Sequence, residues 1–146
     1  MGADPFDLQR FVEAQRTTYE RARAELLAGR KVTHWMWFVF PQLEGLGRSE
    51  TARRYAIRSL DEARAYLEHP ILGPRLVECT EIVNRIDGKS AREIFGTPDD
   101  LKFRSSVTLF AQVARNQPVF EQALAKYFDS VPDPLTIERL SQRPEG

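Results

Sequence analysis

The strongest constraint on the fold is a series of helix start and stop signals that runs along the whole chain. Ser59 and Glu62 have the spacing of a capping box, and so do Ser90 and Glu93. No window alternates apolar and polar residues over the length of a strand. The pattern predicts an all-α fold, a compact single-domain bundle of about seven short-to-medium helices.

Individual residues predict several helix boundaries. Asp4 and Pro5 are expected to begin the first helix, and Gly29 ends the apolar periodicity that follows. Thr17 and Thr18 predict a break within this region, because adjacent β-branched residues are weak helix formers. The hydroxyl of Thr97 is expected to cap a long helix.

Composition limits the classes of function. The chain has 146 residues, which favours one helical domain over residues 4–140 and a frayed tail over residues 141–146. Its 21 basic residues balance 21 acidic ones, so nucleic-acid binding is not favoured. One cysteine, Cys79, excludes an internal disulfide. The lack of a signal-peptide pattern or a long apolar run predicts a cytoplasmic protein without a membrane span.

The aromatic segment at residues 34–40 is ambiguous, because its composition also suits a buried strand. A lone strand would leave its backbone groups without partners. We therefore expect a short buried helix that is capped by Thr33 and ends before Pro41. Trp35 and Trp37 then face different ways, so one indole can fill the core while the other faces the loop that follows.

That loop, residues 42–49, is the most informative part of the sequence for function. It contains Gly45 and Gly47, followed by Arg48 and by Ser49 at the expected start of a helix. Backbone N–H groups and a guanidinium suit an anion, and a nearby aromatic ring could stack on a planar group. The alternative is that the aromatic residues are core, Ser49 is only a cap and Arg48 is a solvated surface charge.

A second polar cluster lies at residues 102–108. Consecutive serines, Ser105 and Ser106, are unfavourable inside a helix. They could face a polar pocket together with Lys102, or they could allow close helix packing and bond back to backbone carbonyls. We expect residues 42–49 to lie near residues 102–106 if a single pocket exists.

These segments resemble the bacterial family known as domain of unknown function 1810, whose members are sometimes labelled calpastatin. The likeness extends over residues 6 to about 140 and is most specific in the tryptophan segment; Val107, which is often methionine in the family, is a mild departure. The resemblance implies a mainly helical fold and no established activity. The calpastatin label is unsupported, because such inhibitors are disordered and repetitive. The matching segments are residues 6–11, 14–15, 29–31, 34–42, 45–49, 55–57, 69–73, 94–96, 100–102 and 105–110.

The leading hypothesis is a protein that binds a small anionic, nucleotide-like ligand in a polar, aromatic-lined pocket, with no cofactor or metal expected. Whether it turns the ligand over is open; His34 is the candidate acid–base group, because the charge of an imidazole changes near neutral pH. The alternative is a protein-interaction or adaptor module without a small-molecule site. The oligomeric state is open. The predicted ligand-binding residues are Trp35, Trp37, Gln42, Arg48, Ser49, Tyr55, Lys102 and Ser105.

Overall fold

The computed structural model describes residues 3–142, and ten helices form its framework. The all-α fold class is confirmed, but the prediction of about seven helices is wrong. Seven helices have eight residues or more, and three further segments of four or five residues form helices of their own. The only strand-like pairing within residues 3–142 is an isolated bridge between Leu43 and Ile57. The long helices are α1 (Gln9–Arg16), α2 (Tyr19–Leu27), α5 (Leu60–Glu68), α6 (Leu72–Asn84), α8 (Asp99–Ala111), α9 (Val119–Phe128) and α10 (Pro134–Gln142); the short ones are α3 (Met36–Val39), α4 (Glu50–Arg54) and α7 (Ala91–Phe95).

The two predicted capping boxes have different outcomes. At α7 the box is complete, because Ser90 accepts a hydrogen bond from the Glu93 N–H and the Glu93 side chain accepts one from the Ser90 N–H. At α5 the Ser59 hydroxyl accepts from the Glu62 N–H as predicted. The carboxylate of Glu62 instead binds the guanidinium of Arg10 at 2.9 Å. The serine cap therefore forms at both helices, whereas the complete capping box, with both hydrogen bonds, forms only at α7.

Three other boundaries differ from the sequence prediction. Helix α1 begins at Gln9, because Asp7 has a positive φ of 51° that interrupts the helix, although the Asp4 carboxylate still accepts hydrogen bonds from two N–H groups at this end. Thr33 is not the cap of α3; its hydroxyl donates to Glu25 instead. The N-cap of α8 is Pro98, which makes no side-chain cap hydrogen bond, so Thr97 does not have the predicted role.

The break at Thr17 and Thr18 and the stop at Gly29 are confirmed, since α1 ends at Arg16 and α2 at Leu27. Of the tail predicted to fray, residues 141–142 form the end of α10 and residues 143–146 lie outside the described residues.

Helix α8 lies in the core and positions one side of the site. Phe103 and all of residues 105–110 are buried, and Leu101 in the first turn is the one residue of this helix that is largely exposed. The ring of Phe103 stacks on Phe95 at 4.7 Å and meets Phe40 edge to face at 5.0 Å. This packing fixes the position of Lys102, which precedes Phe103 and lies at the edge of the core.

A buried ion pair positions the other side of the site. The side chains of Arg10 and Glu62 are 6% and 0% exposed. The guanidinium of Arg10 also donates to the carbonyls of Arg54 and Ala56, each at 2.8 Å. These bonds hold the chain at the end of α4 against α1, because a buried guanidinium requires an acceptor for each of its donors.

Candidate functional site

The loop at residues 42–49 connects α3 to α4 and is held by backbone pairing. The Ile57 N–H donates to the carbonyl of Gln42, and the Glu44 N–H donates to the carbonyl of Ile57, both at 2.8 Å. These two bonds anchor the first half of the loop to the segment that follows α4.

Gly45 is required in this loop by its backbone conformation, and Gly47 by a close contact. Gly45 has a φ of +92°, and a Cβ there would lie 2.2 Å from the guanidinium carbon of Arg139. The Nε of Arg139 donates to the carbonyl of Glu44 at 2.9 Å. At Gly47 a Cβ would lie 2.6 Å from the Cβ of Ala52, so α4 packs directly on the loop backbone. The glycines therefore set how closely α4 and α10 approach the loop.

The structure brings the loop next to Lys102, as the sequence analysis expected for a single pocket. Gln42, Gly47 and Lys102 line two neighbouring cavities. The first, here called the inner cavity, is also lined by Trp37 and Tyr55 and has a volume of about 10 Å³. This volume has room for about one water molecule.

The second cavity, here called the lysine cleft, has a volume of about 350 Å³. It lies between the loop and the first turns of α8 and α10. Its size is at the lower end of the range for small-molecule sites. The lysine cleft is lined by Gln42, Leu46, Gly47, Pro98, Leu101, Lys102, Ser105, Asp133 and Leu135.

A third cavity, here called the arginine cavity, has a volume of about 340 Å³ and also reaches Gly47. Arg48 and Arg53 line it together with Glu44. Arg48 and Lys102, which the sequence analysis placed in one pocket, therefore line different cavities that meet at Gly47.

The two tryptophans face different environments. Trp35 is 1% exposed and packs against Phe40 in the core, and its Nε1 donates to Glu25 at 2.8 Å. Burial alone would raise the pKa of Glu25, but hydrogen bonds from Trp35, Thr33 and the Val32 N–H outweigh it and lower the pKa to about 2. Trp37 is half-buried and lines the inner cavity. Of the two predicted ligand-binding indoles, only Trp37 lies at the site.

Lys102 is the central cation of the site. Its ammonium lies 4.8 Å from the centre of the Trp37 ring, which is within the range of a cation–π interaction. It also pairs with Asp99, but at 3.4 Å, whereas the more buried Lys31 approaches the other oxygen of Asp99 at 2.8 Å. One carboxylate thus serves two ammonium groups, which leaves the charge of Lys102 only partly compensated.

The serine pair in α8 has mainly structural contacts. The hydroxyl of Ser105 lies 3.1 Å from the carbonyl of Leu101 and 3.1 Å from the carboxylate of Asp133. Ser105 lines the lysine cleft with Lys102, so both interpretations of the pair are partly correct for it. Ser106 is fully buried, and its hydroxyl has no hydrogen-bond partner within the described residues.

The other predicted site residues lie at different depths. The hydroxyl of Ser49 accepts a hydrogen bond from the Ala52 N–H, so it acts as the predicted cap of α4. Tyr55 lines the inner cavity, and its ring meets Phe38 edge to face at 4.8 Å. His34 is exposed and lines none of the three cavities defined above.

Sequence reasoning missed three residues that line or support the site. Arg53 lies in α4, four positions after Ser49, whereas Asp133 and Arg139 are distant in sequence from the loop that they approach, and no spacing connects these two with it. Asp133 directly precedes α10, which begins at Pro134. Within residues 3–142 no group of three His, Cys, Asp or Glu side chains is arranged to hold a metal ion. The same residues include no helix with the length and apolar character needed to cross a membrane.

Comparison with known proteins agrees with the helical fold. A family model described as "Protein of unknown function (DUF1810)" matches residues 5–140. The chain is also similar to the crystal structure of the conserved hypothetical protein Rv1873 from Mycobacterium tuberculosis, with 56% sequence identity and a TM-score of 0.94. The similarity covers 96% of this chain and 100% of that chain. No curated protein matches.

Proposed function

The chain belongs to the DUF1810 family of proteins of unknown function, and we propose that it binds a small anionic ligand at the loop of residues 42–49. The observation that supports this most directly is the position of Lys102. Its ammonium is half-buried between an indole and a shared carboxylate, and it lines two cavities with Gln42. A partly compensated cation at the edge of an apolar cleft favours an anion, because the low local dielectric strengthens their attraction.

The ligand occupies the lysine cleft, because the inner cavity has room for about one water molecule only. Gln42 supplies an amide at the same cleft, with both donor and acceptor capacity. The aromatic residues are Trp37, which orients the lysine through its ring, and Tyr55, which lines the inner cavity with it. The lysine cleft is therefore polar and aliphatic in its own lining, and the aromatic residues that the sequence suggested line the adjoining inner cavity.

Arg48 contributes when the ligand is long enough to pass Gly47. It shares the arginine cavity with Arg53, so a phosphate or a second carboxylate there would meet two guanidinium groups. A nucleotide-like ligand would therefore depend on Arg48 and Lys102 together. A ligand with one small anionic group would depend on Lys102 alone.

The experiment is a thermal-shift screen of nucleotides, sugar phosphates and carboxylates on the wild type, Lys102→Met and Arg48→Ala. A ligand that binds the folded protein raises its melting temperature. We expect the shift to disappear in Lys102→Met, because charge-assisted hydrogen bonds contribute roughly 1.5–3 kcal/mol. By the same reasoning, Arg48→Ala should weaken binding of a ligand that spans Gly47 by about 10- to 150-fold.

Matched controls are Lys126→Met on α9 and Arg115→Ala in the segment after α8. Both remove an exposed cation that lines none of the three cavities. The proposal is wrong if no compound that carries a phosphate or carboxylate group shifts the wild type, or if Lys102→Met responds as strongly as Lys126→Met.

A second candidate function, a protein-interaction surface, is favoured by the apolar rim of the lysine cleft. Leu101 and Leu135 are 55% and 59% exposed although both are large apolar residues. Adjacent exposed apolar side chains are typical of contact surfaces. Lys102→Met should abolish anion binding but leave binding of a partner protein at the exposed leucines in place, which separates the two candidates.

A further inference from the structure

The lysine cleft is lined by one cation and one anion. Lys102 lies in the first turn of α8, and Asp133 precedes α10. In the described part of the chain, the ion pair of Lys102 is with Asp99 and not with Asp133. Two opposite charges therefore line the same small cavity without neutralising each other.

Each charge retains bonding capacity beyond its contacts within the protein. An ammonium has three donors, and the 3.4 Å contact with Asp99 is a loose one. The Oδ2 of Asp133 accepts hydrogen bonds from the hydroxyls of Ser105 and Thr136 and from the Thr136 N–H, at 3.1, 2.6 and 3.0 Å. Its Oδ1 takes part in none of these bonds. The carboxylate is thus fixed in place by one oxygen while the other is left for a ligand.

The remaining lining of the cleft is largely apolar. Leu46 comes from the loop, Leu101 from α8 and Leu135 from α10. The cavity of about 350 Å³ suits a ligand that is smaller than a typical drug molecule. Apolar surface from three elements around two charges favours a ligand with a compact apolar body and a polar end.

The two charges restrict which polar end fits. A simple anion in the cleft would satisfy Lys102 but would remove water from Asp133 without replacing its hydrogen bonds, which is unfavourable. A neutral planar group would leave both charges uncompensated. A zwitterion compensates both, because its carboxylate faces the ammonium and its ammonium faces the carboxylate.

We propose that the ligand of the lysine cleft is a small apolar α-amino acid. Its carboxylate binds Lys102, its ammonium binds Asp133, and its side chain contacts the three leucines. This inference rests on the proposed function, since it places the anionic group of the ligand on the same lysine.

The test is isothermal titration calorimetry with three compounds that share a 3-methylbutyl group. L-Leucine has both charges, 4-methylpentanoate lacks the ammonium, and 3-methylbutylamine lacks the carboxylate. We expect leucine to bind the wild type roughly 10- to 150-fold more tightly than either analogue, because each analogue loses one charge-assisted interaction.

The variant Asp133→Asn should reduce the preference for leucine over 4-methylpentanoate to near unity, whereas Asp61→Asn on the exposed face of α5 should leave it unchanged. The readout is a ratio within one variant, so a change in overall stability does not affect it. If Asp133→Asn does not fold, the inference is tested by the ratio of the affinities of the wild type for leucine and for 4-methylpentanoate.

The outcomes distinguish this inference from the proposed function. If 4-methylpentanoate binds as tightly as leucine and loses affinity in Lys102→Met, the amino-acid inference is wrong and anion binding stands. A leucine preference that persists in Asp133→Asn also overturns the inference. If neither these compounds nor the anions of the thermal-shift screen bind, both proposals fail.

Discussion

Replacing Gly47 by alanine tests whether α4 positions the loop through direct backbone contact. The new Cβ would lie 2.6 Å from the Cβ of Ala52, closer than carbon atoms pack at optimal separation. Gly47 does not have a positive φ, so alanine is allowed by the backbone and the clash is the only local penalty. The substitution therefore isolates one contact.

The magnitude follows from two opposing effects. Overpacking of this kind lowers the free energy of unfolding by about 1–3 kcal/mol. Replacing glycine by alanine also restricts the unfolded chain, which raises the free energy of unfolding by roughly 0.4–1 kcal/mol. We expect Gly47→Ala to lower the free energy of unfolding by about 0.5–2 kcal/mol. Ala52→Gly alone should cost about 1 kcal/mol, since glycine is a poor helix former.

The double variant provides the control. With no Cβ at residue 52 the clash at residue 47 disappears, so the two effects should not add. Urea unfolding of the four proteins gives the interaction energy, which we expect at about 1–3 kcal/mol in favour of the double variant. An interaction energy within about 0.5 kcal/mol of zero would show that α4 does not rest on the loop at Gly47.

Three further predictions concern stability and reactivity. The pKa of Glu25 is lower in the folded protein than its ordinary value of 4.5, so its ionised carboxylate stabilises the fold above pH 4.5, and this stabilisation is lost as the pH falls toward 2. Glu25→Gln should therefore lower the melting temperature at pH 7 and make the melting temperature fall less steeply between pH 4.5 and pH 2. An acid profile identical to that of the wild type would contradict this. Glu62→Ala leaves Arg10 as an unpaired buried charge and should cost about 3–5 kcal/mol in urea unfolding, whereas Glu93→Ala at the exposed capping box should cost roughly 1 kcal/mol; equal losses would refute the distinction. Burial raises the pKa of Cys79 to about 12, so the native protein should resist a thiol-specific reagent at pH 8 and react fully once denatured; rapid reaction of the native protein would contradict the burial.

Local signals were the part of the fold that the sequence predicted well. The serine caps at residues 49, 59 and 90 need only neighbours three positions away, and all three form. Glu62 shows the limit, because its carboxylate is bound by Arg10 from another helix. A distant partner of this kind leaves no trace in the local spacing.

The site was predictable to the same degree. The loop and the segment with Lys102 could be identified because each breaks a local rule, with glycines or serines where a regular element would not place them. The assignment of one indole to the core and one to the site required the position of Glu25, which binds Trp35. Asp133 and Arg139 approach the loop only because α10 folds back on it. A tertiary contact of that kind produces no regular spacing of residues in the sequence, so it could not be predicted.

The different surroundings of the two tryptophans also give the protein an internal optical probe. Trp35 is enclosed and its indole N–H is fixed to a carboxylate, so its emission should be constant while the fold persists. Trp37 has an ammonium 4.8 Å from its ring, in a cavity that adjoins the cleft. Any event that draws Lys102 away from the ring changes the local field on one fluorophore only. Occupancy of the cleft and loss of the fold should therefore be distinguishable in a single emission spectrum, without a label.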